Sequence, residues 1–218
     1  MKIEFSQFQA TLRLHLQQCH ELPEQGANAA LQMSAKLVAD PVMSVSSASH
    51  KSIVHDIADE SSSNTRDIRR ATRIKATELA TQLVKESSLE TYLSPTGQLL
   101  ADYVLQIADE LHWYQRKDEN NLAFNTGHAN AQIIGPAGLF YAPGVIVGVT
   151  VMQPQLCYPN HNHPPEEVYI ILSEGMWWQE GASWSAPGVN GYVYNSPNIT
   201  HAMTASDKPL LALWCLNL

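Results

Sequence analysis

Apolar positions follow two different rhythms along this chain. In the first half they recur at helical spacing: Phe5, Phe8, Leu12, Leu16 and Cys19, then Ala76, Leu79, Ala80, Leu83 and Val84, then Leu100, Tyr103, Val104, Ile107, Ala108, Leu111 and Tyr114. Residues three and four apart share one face of a helix, so each set predicts an amphipathic helix. The third set also carries start signals, Ser94 as N-cap and Pro95 in the first turn. A hydroxyl there accepts an otherwise unpaired amide, and the missing proline N–H removes a donor that has no helical partner. Between the first and second sets, MSVSSASHKSIVHDIADESSSN reads as a loop with at most a short helix. Arg66, Arg69, Arg70 and Arg73 follow at the start of a helix and read as its solvated face.

From about Asn120 onward the rhythm shortens. GLFYAPGVIVGVTVMQP, EEVYIILSEG, MWWQEG, PGVNGYVYNSP and KPLLALWCLNL are short β-like runs broken by Gly, Pro and Asn, with no helical stripe between them. Such a succession predicts an antiparallel sandwich or barrel. The expected organisation is a helical N-terminal region over residues 1–119 and a β-barrel over 120–218, roughly 100 residues, an ordinary size for one domain.

Charge and composition narrow the function. A formal net charge of -8 does not suit a nucleic-acid binder or an anionic membrane surface, both of which call for a basic face. The segment MKIEFSQFQATLRLHLQQCH contains no apolar run of signal-peptide length, and no later segment is long and apolar enough to span a bilayer. A soluble cytoplasmic protein is therefore expected. Cys19, Cys157 and Cys215 are scattered without CxxC spacing and read as reduced thiols behaving as small buried hydrophobes.

The chemistry concentrates in YPNHNHPPEEVYIILSEG, residues 158–175. Side chains alternate across a strand, so His161, His163, Glu167 and Tyr169 share one parity and Glu166 takes the other, although Pro164 and Pro165 interrupt the ladder. Two imidazoles and a carboxylate suit a divalent transition metal, and a distant strand can add a further ligand. His201, in YNSPNITHAM, is the candidate for that place. His15, His20, His50, His55, His112 and His128 read as ordinary hydrogen-bonded surface or core histidines.

HxHxxxExY with a downstream histidine on short strands resembles the cupin superfamily, whose fold is a small double-stranded β-helix, or jelly roll. Gly175 stands one residue later than that family's spacing from the glutamate. Gln155 replaces the glycine that usually leads the first motif, and the second motif is one residue short between Pro197 and His201. Within that superfamily YPNHNHPPEEVYIILSEG, WWQEGASWSAPG and PNITHAMTASDKPLLALWCLNL resemble the cupin-type dimethylsulfoniopropionate lyases, which also carry a helical N-terminal extension.

The resemblance implies a mainly β protein with a helical N-terminal region and one divalent metal per chain (Fe, Mn, Zn, Co or Ni), held by His161, His163, Glu167 and His201. It implies β-elimination of a small zwitterionic substrate to dimethyl sulfide and acrylate, with Tyr169 as base and Tyr158 orienting the substrate or sharing the proton. A sulfonium is a fixed cation without donors and suits aromatic faces. Trp177, Trp178, Trp214 and Tyr192 are the candidates, with Trp184 also present in this half. Two other functions fit the same barrel: a different metal enzyme, an oxygenase or isomerase of a small acid, and a non-catalytic binding cupin. The N-terminal helices offer a cap for the barrel or a homodimer contact.

Overall fold

The computed structural model describes residues 3–37, 42–43, 75–86 and 93–218. Most of the serine-rich segment, the arginines at 66, 69, 70 and 73, and His50 and His55 lie outside the described residues. The helices are α1 (Phe5–Gln17), α2 (Glu24–Lys36), α3 (residues 75–86), α4 (Pro95–Ile107) and the short α5 (Leu122–Gly127). Helix α4 starts as its sequence predicts: the Ser94 side chain accepts from the Gly97 amide at 3.0 Å, and Pro95 occupies the first turn. Its apolar stripe outlasts the helix, however. The chain leaves the helix after Ile107, the indole of Trp113 donates back to the Ala108 carbonyl at 2.7 Å, and Tyr114 lies in an extended segment bridged to Asn130.

The strands are β1 (Val42–Met43), β2 (His128–Ile134), β3 (Phe140–Tyr141), β4 (Val145–Met152), β5 (Cys157–His161), β6 (Glu166–Ile171), β7 (Gly175–Gln179), β8 (Tyr192–Asn195), β9 (His201–Ala205) and β10 (Leu210–Asn217). They form a seven-stranded sheet, β1-β3-β2-β4-β10-β6-β8, and a three-stranded sheet, β5-β9-β7. The pairings are antiparallel apart from the short β2–β3 contact. This is the expected cupin-type jelly roll behind N-terminal helices.

Strict alternation sets the two faces of the large sheet. Val147, Val149, Val168, Ile170, Leu211 and Leu213 point outward and share one continuous core with Phe8, Leu12, Met33, Leu100 and Val104 of the helices. Met152, Tyr169, Ile171, Ala212 and Trp214 point inward and form a second core, with Tyr158, Trp177 and Met203 from the small sheet. Strands buried on both faces carry near-continuous apolar runs, which explains why VIVGVTVM and LLALWCLN show little polar alternation. Cys19 and Cys215 are buried as expected, whereas Cys157 is exposed at the start of β5. Among the described residues no helix is long and apolar enough to cross a membrane.

Candidate metal centre

The inward face of β6 delivers the expected residues. Glu167 and Tyr169 are both 3 % exposed, inside the barrel. Glu166 faces the other way and accepts from the Tyr194 hydroxyl at 2.9 Å and from Asn217 Nδ2 at 2.6 Å. Antiparallel pairing then sets the neighbours: Asn195 lies opposite Glu167 and Trp214 opposite Tyr169. Asn195 Nδ2 donates to Glu167 Oε2 at 2.8 Å and orients the carboxylate.

Two imidazoles converge on the same oxygen. His163 Nε2 and His201 Nε2 each lie 3.3 Å from Glu167 Oε2. Each ring is fixed from behind, His163 Nδ1 on the Pro165 carbonyl at 2.8 Å and His201 Nδ1 on the Ile199 carbonyl at 3.0 Å. A carbonyl only accepts, so in the neutral rings Nδ1 carries the proton and Nε2 presents a lone pair. Both Nε2 atoms are buried and lack a hydrogen-bond donor. Lone pairs meeting a carboxylate away from water repel unless a cation lies among them. A hydrogen-bonded Nδ1 behind a free Nε2 is also how metal-binding histidines are commonly oriented. The three side chains thus fit a divalent transition metal, with ligand atoms within 4.8 Å of one another.

His161 stands beside this group rather than within it. The β5–β9 ladder slips between Tyr158 and His161, and beyond that slip the His161 ring packs 4.1 Å from the His201 ring, with its Nδ1 on the Pro159 carbonyl at 2.9 Å.

Electrostatics show a carboxylate that demands a positive partner. Burial would raise the Glu167 carboxyl, but protonation of His163 and His201, which turns each ring into a charged donor toward it, outweighs burial and holds the group at about 2, so the site calls for a proton on the rings or a metal ion among them. Burial, with the charge of His201, pulls His161 down to about 4, so this ring is neutral at neutral pH. Burial pushes the Tyr169 phenol well above its usual value, and the neighbouring Glu167 carboxylate adds to the rise. Tyr158 is raised to about 12 by burial, against the pull of the nearby Arg116 cation.

A cavity opens onto the Glu167 side of this cluster. Its wall takes in His161, His163, Glu167, Tyr158, Tyr169 and Trp214. The Trp214 indole lies across Gly148, its cross-strand partner, where any Cβ would overlap the ring. The other aromatic candidates are placed elsewhere. Trp177 is buried in the inner core, its ring 6.3 Å from that of Tyr169. Trp178 points to the outside of the small sheet and packs 6.5 Å from the exposed Trp184. Tyr192 is on the outer parity of β8 and reaches His15 of α1, hydroxyl to Nδ1, at 2.9 Å. In each case the strand parity, not the residue type, decides the side.

The cavity also contains residues that the sequence pattern did not single out: Tyr114, Arg116, Asn130 and Thr150. Thr150 Oγ1 donates to Asn130 Oδ1 at 2.6 Å, and Asn130 Nδ2 donates to the Tyr158 hydroxyl at 3.4 Å. A signal for the last two was present, since Thr150 is the polar position of inward parity in the otherwise apolar β4, and Asn130 is one of the polar positions that alternate with the outward alanines of β2. No such signal marks Tyr114 or Arg116, which lie outside regular strands. His128 is an ordinary core histidine, stacked on Phe124 at 3.9 Å and drawn down to about 4 by burial.

Comparison with known proteins gives a consistent assignment. The family model described as dimethylsulfoniopropionate lyase matches residues 26–212. DddL of Cereibacter sphaeroides is 29% identical over 102 residues, 47% of this chain and 43% of that protein. The dimethylsulfoniopropionate lyase DddQ of Ruegeria pomeroyi is 34% identical over 82 residues, 37% of this chain and 41% of that protein. The matches thus span less than half the length of either curated relative. The crystal structure of DddQ from Ruegeria pomeroyi superposes with a TM-score of 0.62 at 20% identity, covering 99% of this chain and 93% of that one, which extends the shared fold to the N-terminal helices.

Proposed function

The chain belongs to the dimethylsulfoniopropionate lyase family, and from that premise we propose that it cleaves dimethylsulfoniopropionate to dimethyl sulfide and acrylate in the barrel cavity. The observation that carries this reading is the convergence of His163 Nε2 and His201 Nε2 on Glu167 Oε2, the Glu167 side chain lining the same cavity as Tyr169 and Tyr158. His163, Glu167 and His201 would hold one divalent transition metal, with His161, beside them, as the candidate fourth ligand. When bound, such an ion supplies Lewis acidity, countering the charge that develops beside the substrate carboxylate and bringing a neighbouring phenol toward its phenolate.

The remaining work belongs to the side chains. The Tyr169 oxygen takes the proton from the carbon next to the carboxylate. The electrons of that C–H bond form the new C=C bond, and the C–S bond breaks with its pair going to sulfur. Neutral dimethyl sulfide leaves and acrylate remains, so the positive charge of the sulfonium reappears as the proton on Tyr169. Tyr158, fixed through Asn130 and Thr150, orients the substrate. Trp214 is the aromatic that faces the cavity, and its indole receives the sulfonium, a contact worth about 0.5 to 2 kcal/mol. Headspace gas chromatography over purified, metal-loaded protein given dimethylsulfoniopropionate tests substrate and reaction together. Equal amounts of dimethyl sulfide and acrylate are expected, and their absence with each of Fe, Mn, Zn, Co and Ni loaded in turn would refute the reading.

A further inference from the structure

After α4 the chain does not simply loop away but is clipped along the inner edge of β2. The Tyr114 amide donates to the Asn130 carbonyl at 2.9 Å, and the Asn130 amide returns the bond at 2.8 Å. The Arg116 amide donates to His128 Nε2 at 3.0 Å, and the His128 ring is held in turn by its Nδ1 on the Phe124 carbonyl. Downstream, the Asp118 amide donates to Asn125 Oδ1 and Asn125 Nδ2 to the Asp118 carbonyl, each at 2.7 Å. This extended segment is therefore pinned at both ends. Two residues apart, Tyr114 and Arg116 fall on one side of it, and both line the cavity.

Arg116 is an unusual wall residue. It is exposed, yet its charge is felt at Tyr158, Tyr169, His161 and His163. Among the described residues no carboxylate forms an ion pair with it, while the Glu167 carboxylate in the same wall is engaged by His163 and His201. A guanidinium fixed at its backbone, facing a cavity and lacking an acid of its own, is arranged to meet an anion from outside. Its planar fork matches a carboxylate, while its charge repels a sulfonium. Trp214 is the complementary aromatic surface for the cationic end.

We propose that Arg116 is a substrate-binding residue that receives the carboxylate of the zwitterion and so fixes its direction in the cavity, sulfonium toward the Trp214 indole. This rests on the lyase reading for the identity of the substrate, but not for the contact itself. It makes a free carboxylate a requirement for binding, so an amide in its place is excluded.

The test uses metal-loaded protein with Arg116 intact, Arg116→Lys and Arg116→Gln. Charge-assisted hydrogen bonds contribute enough to predict a KM for dimethylsulfoniopropionate raised roughly 10- to 100-fold in Arg116→Gln. Arg116→Lys should recover part of the loss, while kcat stays within about threefold and metal content and thermal midpoint stay at the parental level. Acrylate binding, followed by calorimetry, measures the carboxylate contact without turnover and should weaken by a similar factor. If parent protein binds acrylate but releases no dimethyl sulfide, the lyase reading fails while a weakened Arg116→Gln affinity still supports the carboxylate contact. If Arg116→Gln matches the parent in acrylate affinity, or the parent binds no acrylate at all, Arg116 does not have this role.

Discussion

The two faces of the seven-stranded sheet are made by alternate residues of the same strands, and they do opposite things. Facing the helices, Val168, Ile170, Leu211 and Leu213 are fully buried and entirely aliphatic. Facing the barrel, their neighbours Glu167, Tyr169 and Trp214 are nearly as buried, yet carry a carboxylate, a phenol and an indole. Burying polar groups costs stability unless they are paired, so the polar groups of the inner face draw on the stability that the apolar cores supply. The outer side of these strands contributes to folding through apolar area alone, and the inner side adds a carboxylate and a phenol to its own apolar cluster. Substitutions on the two faces should therefore separate activity from stability.

The largest separation is expected at Tyr169. Tyr169→Phe removes only the phenolic oxygen and keeps the packing, so stability and metal content should stay near parental. Turnover should fall by about 10²- to 10⁴-fold, the usual span for a general base. Near-parental turnover would place the base elsewhere, with Tyr158→Phe as the companion variant to identify it. On the other face, Leu213→Ala should cost about 2 to 5 kcal/mol of unfolding free energy. Turnover per folded molecule should hardly change, as read from chemical denaturation alongside kinetics at low temperature. A collapse of turnover in the folded fraction would mean that the faces are coupled.

Trp214→Leu is a smaller and sharper probe. It keeps apolar bulk but removes the aromatic face, so substrate affinity should weaken by about 0.5 to 2 kcal/mol. The same change at Trp178, on the outside of the small sheet, should leave affinity untouched. Equal losses at both positions would point to a general effect on folding rather than a cation contact.

How far the sequence reached follows from the same alternation. Within β6 the period of two placed Glu167 and Tyr169 inward and Glu166 outward without any knowledge of the fold, because a continuous strand leaves no freedom of side. The N-terminus of α4 was legible for an equally local reason, the capping hydroxyl of Ser94. Tyr192 and Trp178 were not, since an aromatic suits either side of a strand and only pairing decides. Val193 sits across from Tyr169, which sends Tyr192 to the helices. His161 lies past an irregular step in the β5–β9 ladder, and parity does not carry through such a step. Arg116 and Tyr114 depend on tertiary clips to β2 that have no periodic signature. Tyr114 even continued a helical stripe that the chain abandons after Ile107.

Glu166 and Glu167 offer the most direct test, being adjacent residues of one chemical type on opposite faces. Elemental analysis after loading and desalting should find parental metal in Glu166→Ala, whose carboxylate accepts from Tyr194 and Asn217 on the other face. Glu167→Ala, lacking the oxygen on which His163 and His201 converge, should retain little or none. Full metal content in Glu167→Ala, or its loss in Glu166→Ala alone, would contradict the division of the sheet into a supporting face and a metal-binding face.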